Sequence, residues 1–360
     1  LKKDKNSGLL KYIKIKRGNI VMKKSIALLL VMVLVASFAF AGCTQQPAEA
    51  PKQEEKQNNE SAENAGGKTM ELAFATGGTS GTYYPLGGAI ANVWNKKIEG
   101  INVTIQPAGA SVENINRVAA GEVDIVLAMN NVADDAYNGN GKSFPKPLKN
   151  FKAVGVVYPE VMHVVTTQAS GIKSITDLKG KSINPGPPGS GTYVTALPIL
   201  EAFGIGPKDF TPKPGSFSDA VAGLKDGTID AAFAVVSFPA SAVKEIATTN
   251  PVKILEIDGE PFDKLKEKVP FVSKFTITGG EYNGQDEDVT TVSLQAVMYV
   301  REDLPEDLVY NLAKVMYENT DAIAEGHARG KQIKLENALK GVTTPVHPGA
   351  LKYFEEKGIK

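Results

Sequence analysis

The chain predicts an α/β fold of two similar lobes, and three observations carry that prediction. From about Met70 onward, short apolar runs of strand character alternate with amphipathic runs of helical character. The tetrapeptide Ser80-Gly-Thr-Tyr83 recurs as Ser190-Gly-Thr-Tyr193, both times in a glycine-rich loop between a strand and a helix. A second pair recurs in the same order. Ser111–Ala128 and Ser218–Ala234 each read as a helix that ends at a glycine (Gly121, Gly227) and re-enters an apolar strand through an aspartate (Asp124, Asp230). Two α/β halves, each with such a loop, describe a molecule that closes on something small.

Composition narrows the class. With 360 residues, 42% of them hydrophobic, the chain has the length for two or three domains and enough apolar residues for ordinary cores. A formal net charge of zero argues against nucleic acid as a partner. The three histidines, His163, His327 and His347, are too scattered to suggest a zinc site, and beyond residue 43 the arginines are Arg117, Arg301 and Arg329 alone. No cofactor or metal is implied.

The N-terminal region reads as export machinery. Residues 1–21 are basic and without periodicity, and are taken as upstream sequence with Met22 as the start. Lys23-Lys24, the apolar run Ile26–Phe40 and the small residues Ala41-Gly42 before Cys43 follow in the order of a secretory signal. The run is short for a membrane-spanning helix. The lone cysteine at its end resembles the lipidated residue of bacterial lipoproteins, with Phe40 where that pattern usually has Leu; the alternative is a buried thiol. With Cys43 carrying lipid, the exported part has no cysteine for a disulfide scaffold or thiol catalysis. The region 43–69 is rich in Gln, Glu, Asn, Ala and Pro, cannot bury enough surface to order itself, and is expected to be a flexible tether.

The folded part then runs element by element. Glu71–Ala75 is a strand, Gly77–Thr82 a loop, and Tyr84–Trp94 a helix that tolerates Pro85 in its first turn. Ile101–Gln106 alternates as a half-buried strand, and Pro107–Ser111 turns into a helix with Ser111 as its N-cap. A buried strand, Glu122–Met129, ends in a loop at Asn130-Asn131. Two strands follow, Phe151–Tyr158 and Met162–Thr166, separated by a break at Pro159-Glu160. Ile172–Ile183 holds a short helix and a strand, and the helix beyond the second glycine loop carries a disruptive Pro198. Lys208–Gly215 is loop-like, and Pro261–Asp288 is polar and poorly patterned, read as a hairpin or a surface excursion. Thr291–Val300 is a strand, Leu304–Glu318 an amphipathic helix, and Lys334–Lys360 a set of helical pieces. Such alternation implies parallel, doubly wound sheets that bind ligands beyond the carboxyl ends of their strands.

The loops at 77–82, 107–111, 130–131 and 186–192 all fall at those ends. A glycine, serine and threonine loop at a helix N-terminus turns backbone N–H groups and hydroxyls toward one point, where an anion binds without a basic side chain. Taken singly, each loop is equally well a tight turn. The candidate ligand-binding residues are Gly78, Thr79, Ser80, Thr82 and Tyr83 from the first loop, Gly109 and Ser111 from the second, Asn130, and Tyr158 at a strand end. Pro187, Ser190, Gly191 and Thr192 join them from the last loop. Tyr83, Tyr158 and Tyr193 either line a pocket or pack at its edges. Asp124 and Asp230 either solvate strand entrances or act on a ligand, and Arg117 lies on a helix surface or reaches the cleft. Gly186–Thr192 begins like the phosphate loop of nucleotide hydrolases, but Thr192 stands where that loop needs its lysine, which argues against a nucleotide. No G-x-S-x-G elbow and no recognisable Ser, His and acid set is present; carboxylate pairs are plentiful, but none stands out.

From about Met70 to its end the chain resembles the TAXI-type solute receptors of TRAP transporters. The resemblance is carried by Gly77–Tyr84, Pro107–Ser111 with Asn114, Gly121–Asp124, Val157-Tyr-Pro-Glu160, Ile175–Lys181 and Gly186–Thr192, in the family's order. It implies a two-lobed periplasmic-binding-protein fold of the second type with the ligand between the lobes. It also implies no enzymatic activity, a small organic anion (a carboxylate or dicarboxylate, glutamate-like or 2-oxoacid-like) as ligand, and delivery to TRAP membrane subunits driven by an ion gradient. Met129-Asn-Asn131 departs from the Gln–polar–Asp run usual there, which bears on the ligand accepted. The expected organisation is a signal with upstream residues over 1–42, the tether, lobe one over 70–160 plus 295–360, and lobe two over 161–294. The hinges fall at Tyr158–His163 and the start of Val292–Val300. An exported enzyme or a tethered sensor on the same fold are the alternatives. Neither the recurring amides and hydroxyls, which suit holding an anion, nor the lack of an output domain favours them.

Overall fold

A computed structural model of the protein describes residues 69–360. The signal, Cys43 and the tether up to residue 68 lie outside the described residues.

Strand β1 (Met70–Ala75) pairs in parallel with β2 (Ile101–Gln106) and β3 (Ile125–Met129). The chain continues through β4 (Phe151–Thr167), β5 (Ser182–Asn184), β6 (Thr211–Pro212), β7 (Ala231–Val236), β8 (Val252–Ile254), β9 (Ser273–Ile277) and β10 (Val289–Arg301). All ten strands form one sheet in the order β2-β1-β3-β10-β4-β7-β5-β6, with β8 added on β4 and β9 on β10. The parallel sets β2-β1-β3 and β7-β5-β6 flank the long strands β10 and β4: β10 runs antiparallel to β3, β4 antiparallel to β7, and the two antiparallel to each other. Two separate parallel sheets are thus replaced by one mixed sheet with a parallel set at each end. The helices are α1 (Tyr83–Lys97), α2 (Ser111–Ala119), α3 (Asn130–Asn138), α4 (Gly191–Ala202), α5 (Phe217–Lys225), α6 (Ser241–Ala247), α7 (Gly259–Lys268), α8 (Glu306–Glu318), α9 (Thr320–Gly326) and α10 (Pro348–Glu356).

Periodicity explains most of these elements. In α1, Leu86, Ile90, Val93 and Trp94 are buried at helical spacing, and the Trp94 indole N–H donates to the Leu312 carbonyl at 3.0 Å, which ties α1 to α8. Every residue of β3 is buried, as befits a central strand. The repeat seen in the sequence is structural. Asp124 accepts the Ala73 N–H through its carboxylate at 2.7 Å, and Asp230 accepts the Ser182 N–H at the same distance. Each aspartate therefore joins its strand to the strand that precedes a glycine loop.

Four expectations change. β4 is unbroken through Pro159 and Glu160, because at Pro159 only β10 pairs with it; the β7 ladder starts at Val161, so the proline stands locally at an edge. Asn130 opens α3 directly after β3. The N-cap of α2 is Ala110, with φ +70°, and not Ser111. Within 261–288 the hairpin is present, β9 folding back antiparallel on β10 with Ile277 opposite Val289, but α7 was not expected: it is capped by Asp258 accepting the Gly259 N–H, and with Leu265 its one buried side chain no apolar stripe marked it.

The core differs on the two faces of the sheet. One face carries a continuous cluster from Val126 and Phe151 through Met162 and Leu294 to Ile183 and Phe233. The other has two clusters, one around Trp94, Met298 and Phe354 and one around Val236, Ile254 and Tyr282. Alternate residues of β10 serve opposite faces: Val297 and Tyr299 the first, Ala296, Met298 and Val300 the second.

Candidate functional site

The first glycine loop leaves β1 at Thr76 and closes a turn with the Gly81 N–H on the Gly78 carbonyl at 2.9 Å. Thr82 precedes α1 with near-helical φ and ψ and does not cap it, so its hydroxyl is turned elsewhere. That hydroxyl donates to Ser237 Oγ at 3.2 Å and accepts the Ser237 N–H at 3.1 Å, bridging to the end of β7. The second loop leaves β5 at Asn184, whose side-chain oxygen accepts the Gly186 N–H at 2.7 Å while Gly186 takes φ +101°. Ser190 caps α4 by accepting the Tyr193 N–H, and donates to the Pro187 carbonyl at 2.7 Å. Across from it, the Val112 and Glu113 N–H groups at the start of α2 donate to the Gly189 carbonyl at 3.1 and 3.2 Å. Gly191 sits so close to Met129 and Ser111 that a Cβ there would stand 2.2 Å from the Met129 sulfur.

The two loops face each other across a cavity of about 170 Å³. Gly78, Ser80, Thr82, Tyr83, Gly109, Ser111, Tyr158, Pro187, Ser190, Gly191 and Thr192 line it, together with Met129, Glu160, Phe217 and Val235. Thr79 instead lines a neighbouring crevice of about 530 Å³ with Ser237 and Arg329. Asn130 is not among the lining residues. Its amide donates to the Gly341 carbonyl at 3.0 Å and its oxygen accepts the Gln295 N–H at 3.1 Å, so the side chain is occupied in joining α3 to β10 and the tail. Arg117 lies on the α2 surface with Gln106, Glu113 and Glu122. Tyr193 lines a different crevice, with Phe144 and Leu197. At the cavity wall, the Tyr83 hydroxyl donates to Glu160 Oε2 at 2.8 Å and the Tyr158 hydroxyl to Oε1 at 3.3 Å. The two phenol rings meet edge to face at 6.3 Å.

Residues 74–358 match the model of the NMT1-like family. This chain belongs to that family. Among solved structures it is similar to PhnD1 from Prochlorococcus marinus in complex with methylphosphonate, at 12% identity over 73% of this chain and 91% of that one, with a TM-score of 0.51. It is also similar to a putative L-cystine ABC transporter protein from Listeria monocytogenes (15% identity, 75% and 98% covered, TM-score 0.47). A third is the periplasmic aliphatic sulphonate binding protein SsuA from Escherichia coli (16%, 80% and 79%, 0.44). The fold is of the periplasmic-binding-protein kind, α/β with the cavity between the two ends of the sheet.

In this NMT1-like chain the electrostatics of the cavity centre on Glu160, the residue that sequence reasoning missed. Among the described residues it is the one carboxyl in the lining, and no Lys, Arg or His joins it there. At 2% exposure, burial pushes its pKa up to about 8, against the smaller opposing pull of the hydrogen bonds from Tyr83 and Tyr158. Burial, and then the neighbouring Glu160, hold the Tyr83 and Tyr158 phenols well above their ordinary range, so both remain donors. The signal was a lone acid inside the apolar run Val156–Val165, at the end of the Val157-Tyr-Pro-Glu160 segment. His163, also buried on β4, belongs to another network. Its ring meets the Val161 carbonyl at 3.0 Å and the Tyr282 hydroxyl at 2.9 Å, and burial lowers its pKa to about 4.

The lining hydroxyls divide by availability. Ser190 uses its proton on Pro187, whereas Ser111 and Thr192 accept from the Met129 and Val235 N–H groups and keep their protons to donate. The arrangement therefore offers hydroxyl donors, glycine backbone and one acid to a small guest. Pockets for drug-sized ligands run at about 300–1,000 Å³, which makes this one suited to a smaller molecule. Among the described residues no cluster of three His, Cys, Asp or Glu side chains could hold a metal ion, and no helix is long and apolar enough to cross a membrane.

Proposed function

We propose that this protein is an exported solute receptor that captures a small organic anion and delivers it to a membrane transporter. The observation that supports this reading is the convergence of two equivalent glycine and hydroxyl loops, one from each end of the sheet, on a single buried cavity. Residues 70–160 with 295–360 form one lobe and 161–294 the other. β4 and β10 carry the chain between them, and the bonds from Thr82 to Ser237 and from Val112 and Glu113 to Gly189 hold the lobes together. A carboxylate, dicarboxylate or 2-oxoacid fits the donor set, with the Ser111 and Thr192 hydroxyls as its first partners. By shifting the lobes toward closure, the ligand presents a closed shape to the transporter, limited by its differential affinity for that shape.

The transporter is taken to be of the TRAP class, on the resemblance carried by Gly77–Tyr84 and the motifs after it. Two of the similar solved structures bear the names of ABC-transporter or sulphonate-binding proteins. Calorimetry of the folded part with organic acids, a neutral sugar and a polyamine tests the ligand class; tight binding of the sugar or polyamine alone would refute it. Uptake in vesicles carrying the membrane subunits, driven by an ion gradient or by ATP, decides the transporter class. A strict need for ATP would remove the TRAP assignment and leave the receptor reading intact. Anchoring of the exported part through lipid on Cys43 belongs to the same proposal.

A further inference from the structure

Glu160 is hard to reconcile with an anion site if it is ionised. It stands in the wall of the cavity, buried, and among the described residues its hydrogen-bond partners are two phenols that both donate to it. Among the described residues the other elements around the cavity bring no compensating cation: α1 contributes Tyr83, the start of α2 Ser111, β10 pairs Leu294 against Glu160, and the start of α5 contributes Ser216 and Phe217. Arg329 lines the neighbouring crevice, where it donates to the Pro239 carbonyl at 3.0 Å, and His163 faces Tyr282. A negative charge left at this position would be buried, unpaired and aimed at an anionic guest.

We propose that Glu160 serves the site as a neutral carboxylic acid whose proton is donated to an oxygen of the bound anion, which makes it the residue that selects for anions and couples their binding to a proton. The phenols donate to the two carboxyl oxygens, so the acid proton is left for the ligand. The proton comes from water when Glu160 is ionised beforehand and is already in place when it is not; no bond other than that O–H changes. Because burial already raises this group to about 8, binding at neutral pH takes up little proton, and binding above that range takes up nearly one. The inference rests on the anion reading proposed above and names how the site carries it out.

The test combines two readouts on the full exported part. Carboxyl-carbon NMR of protein labelled at Glu, with Glu160 assigned by its absence in Glu160→Gln, follows its protonation in the free and the anion-bound protein. The expected result is a protonated signal through neutral pH; an ionised Glu160 at neutral pH in the anion-bound protein would overturn the inference. Calorimetry with succinate and 2-oxoglutarate in buffers of different ionisation enthalpy then reads proton uptake at pH 9. Close to one proton per anion is expected, with wild-type affinity falling about tenfold per pH unit beyond that range. Glu160→Gln, which keeps a donor but cannot titrate, should bind with flat pH dependence. Anions that bind the wild type without proton uptake refute this inference while the anion reading stands. Exclusive binding of glucose or putrescine refutes the anion reading and this inference with it.

Discussion

Replacing Gly191 with alanine probes the closure of the cavity without touching a hydrogen-bonding group. A Cβ at this position would stand 2.2 Å from Met129 Sδ and 2.8 Å from Ser111 Oγ, where ordinary contact begins near 3.4 Å. Met129 can turn its flexible end away, but the Ser111 hydroxyl is held by the Met129 N–H at 3.1 Å. The two sides of the cleft must then part by about 0.6 Å at that point. The Val112 and Glu113 bonds to Gly189, at 3.1 and 3.2 Å, would be stretched beyond the range of useful hydrogen bonds. Losing two such bonds from the closed form is worth about 1–3 kcal/mol, or roughly 5- to 150-fold in affinity. Calorimetry with the tightest-binding organic acid reads this directly, and small-angle scattering should show the variant staying more open at saturating ligand. Because the clash lies between the two ends of the sheet, the thermal midpoint should move far less than for an overpacked core. Wild-type affinity in Gly191→Ala would refute closure of the second loop onto α2.

Three further outcomes are expected. Glu160 should make stability fall with rising pH. Its folded pKa, about 8, lies above the ordinary 4.5, so between those values the native state holds a proton that the unfolded state has lost. That shift is worth on the order of 5 kcal/mol; Glu160→Gln should lose this much less between pH 4.5 and 8 by chemical denaturation, and equal slopes in both proteins would contradict it. The contribution of Asp135, raised to about 6 by burial and Asp134, is common to both and cancels in the comparison. Thr192→Ala and Thr82→Ala should each weaken anion binding by about 1–2 kcal/mol by calorimetry, the first through a lost donor and the second through the lost bridge to Ser237. Cys43→Ser should move the protein from the membrane to the soluble fraction, and unchanged retention would remove the lipid anchor.

Local pattern was enough for much of this molecule. β2 stands where alternation placed it, α1 starts one residue before its expected run and carries Pro85 in its first turn, and the paired aspartates hold equivalent strands. The glycine loops could be recognised because their chemistry is local: small residues, hydroxyls and a following helix. What escaped depends on residues far apart in the chain. β4 reads as two strands because proline breaks a ladder in isolation, and only β10, more than a hundred residues later, carries it across Pro159. Asn130 has the chemistry of a ligand contact, but Gln295 and Gly341 claim both ends of its amide. Glu160 becomes conspicuous only when Tyr83, 77 positions earlier, is brought to 2.8 Å from it.

Closure of the two loops on an anion is tested most directly by what the protein carries away from the cell that makes it. Native mass spectrometry of the exported part, purified gently and then denatured to release its guest, should reveal one small carboxylic acid bound one to one. The same preparation of Gly191→Ala should hold much less of it. A neutral or cationic guest, or an acid retained equally by that variant, would contradict the claim that two facing loops close on an organic anion.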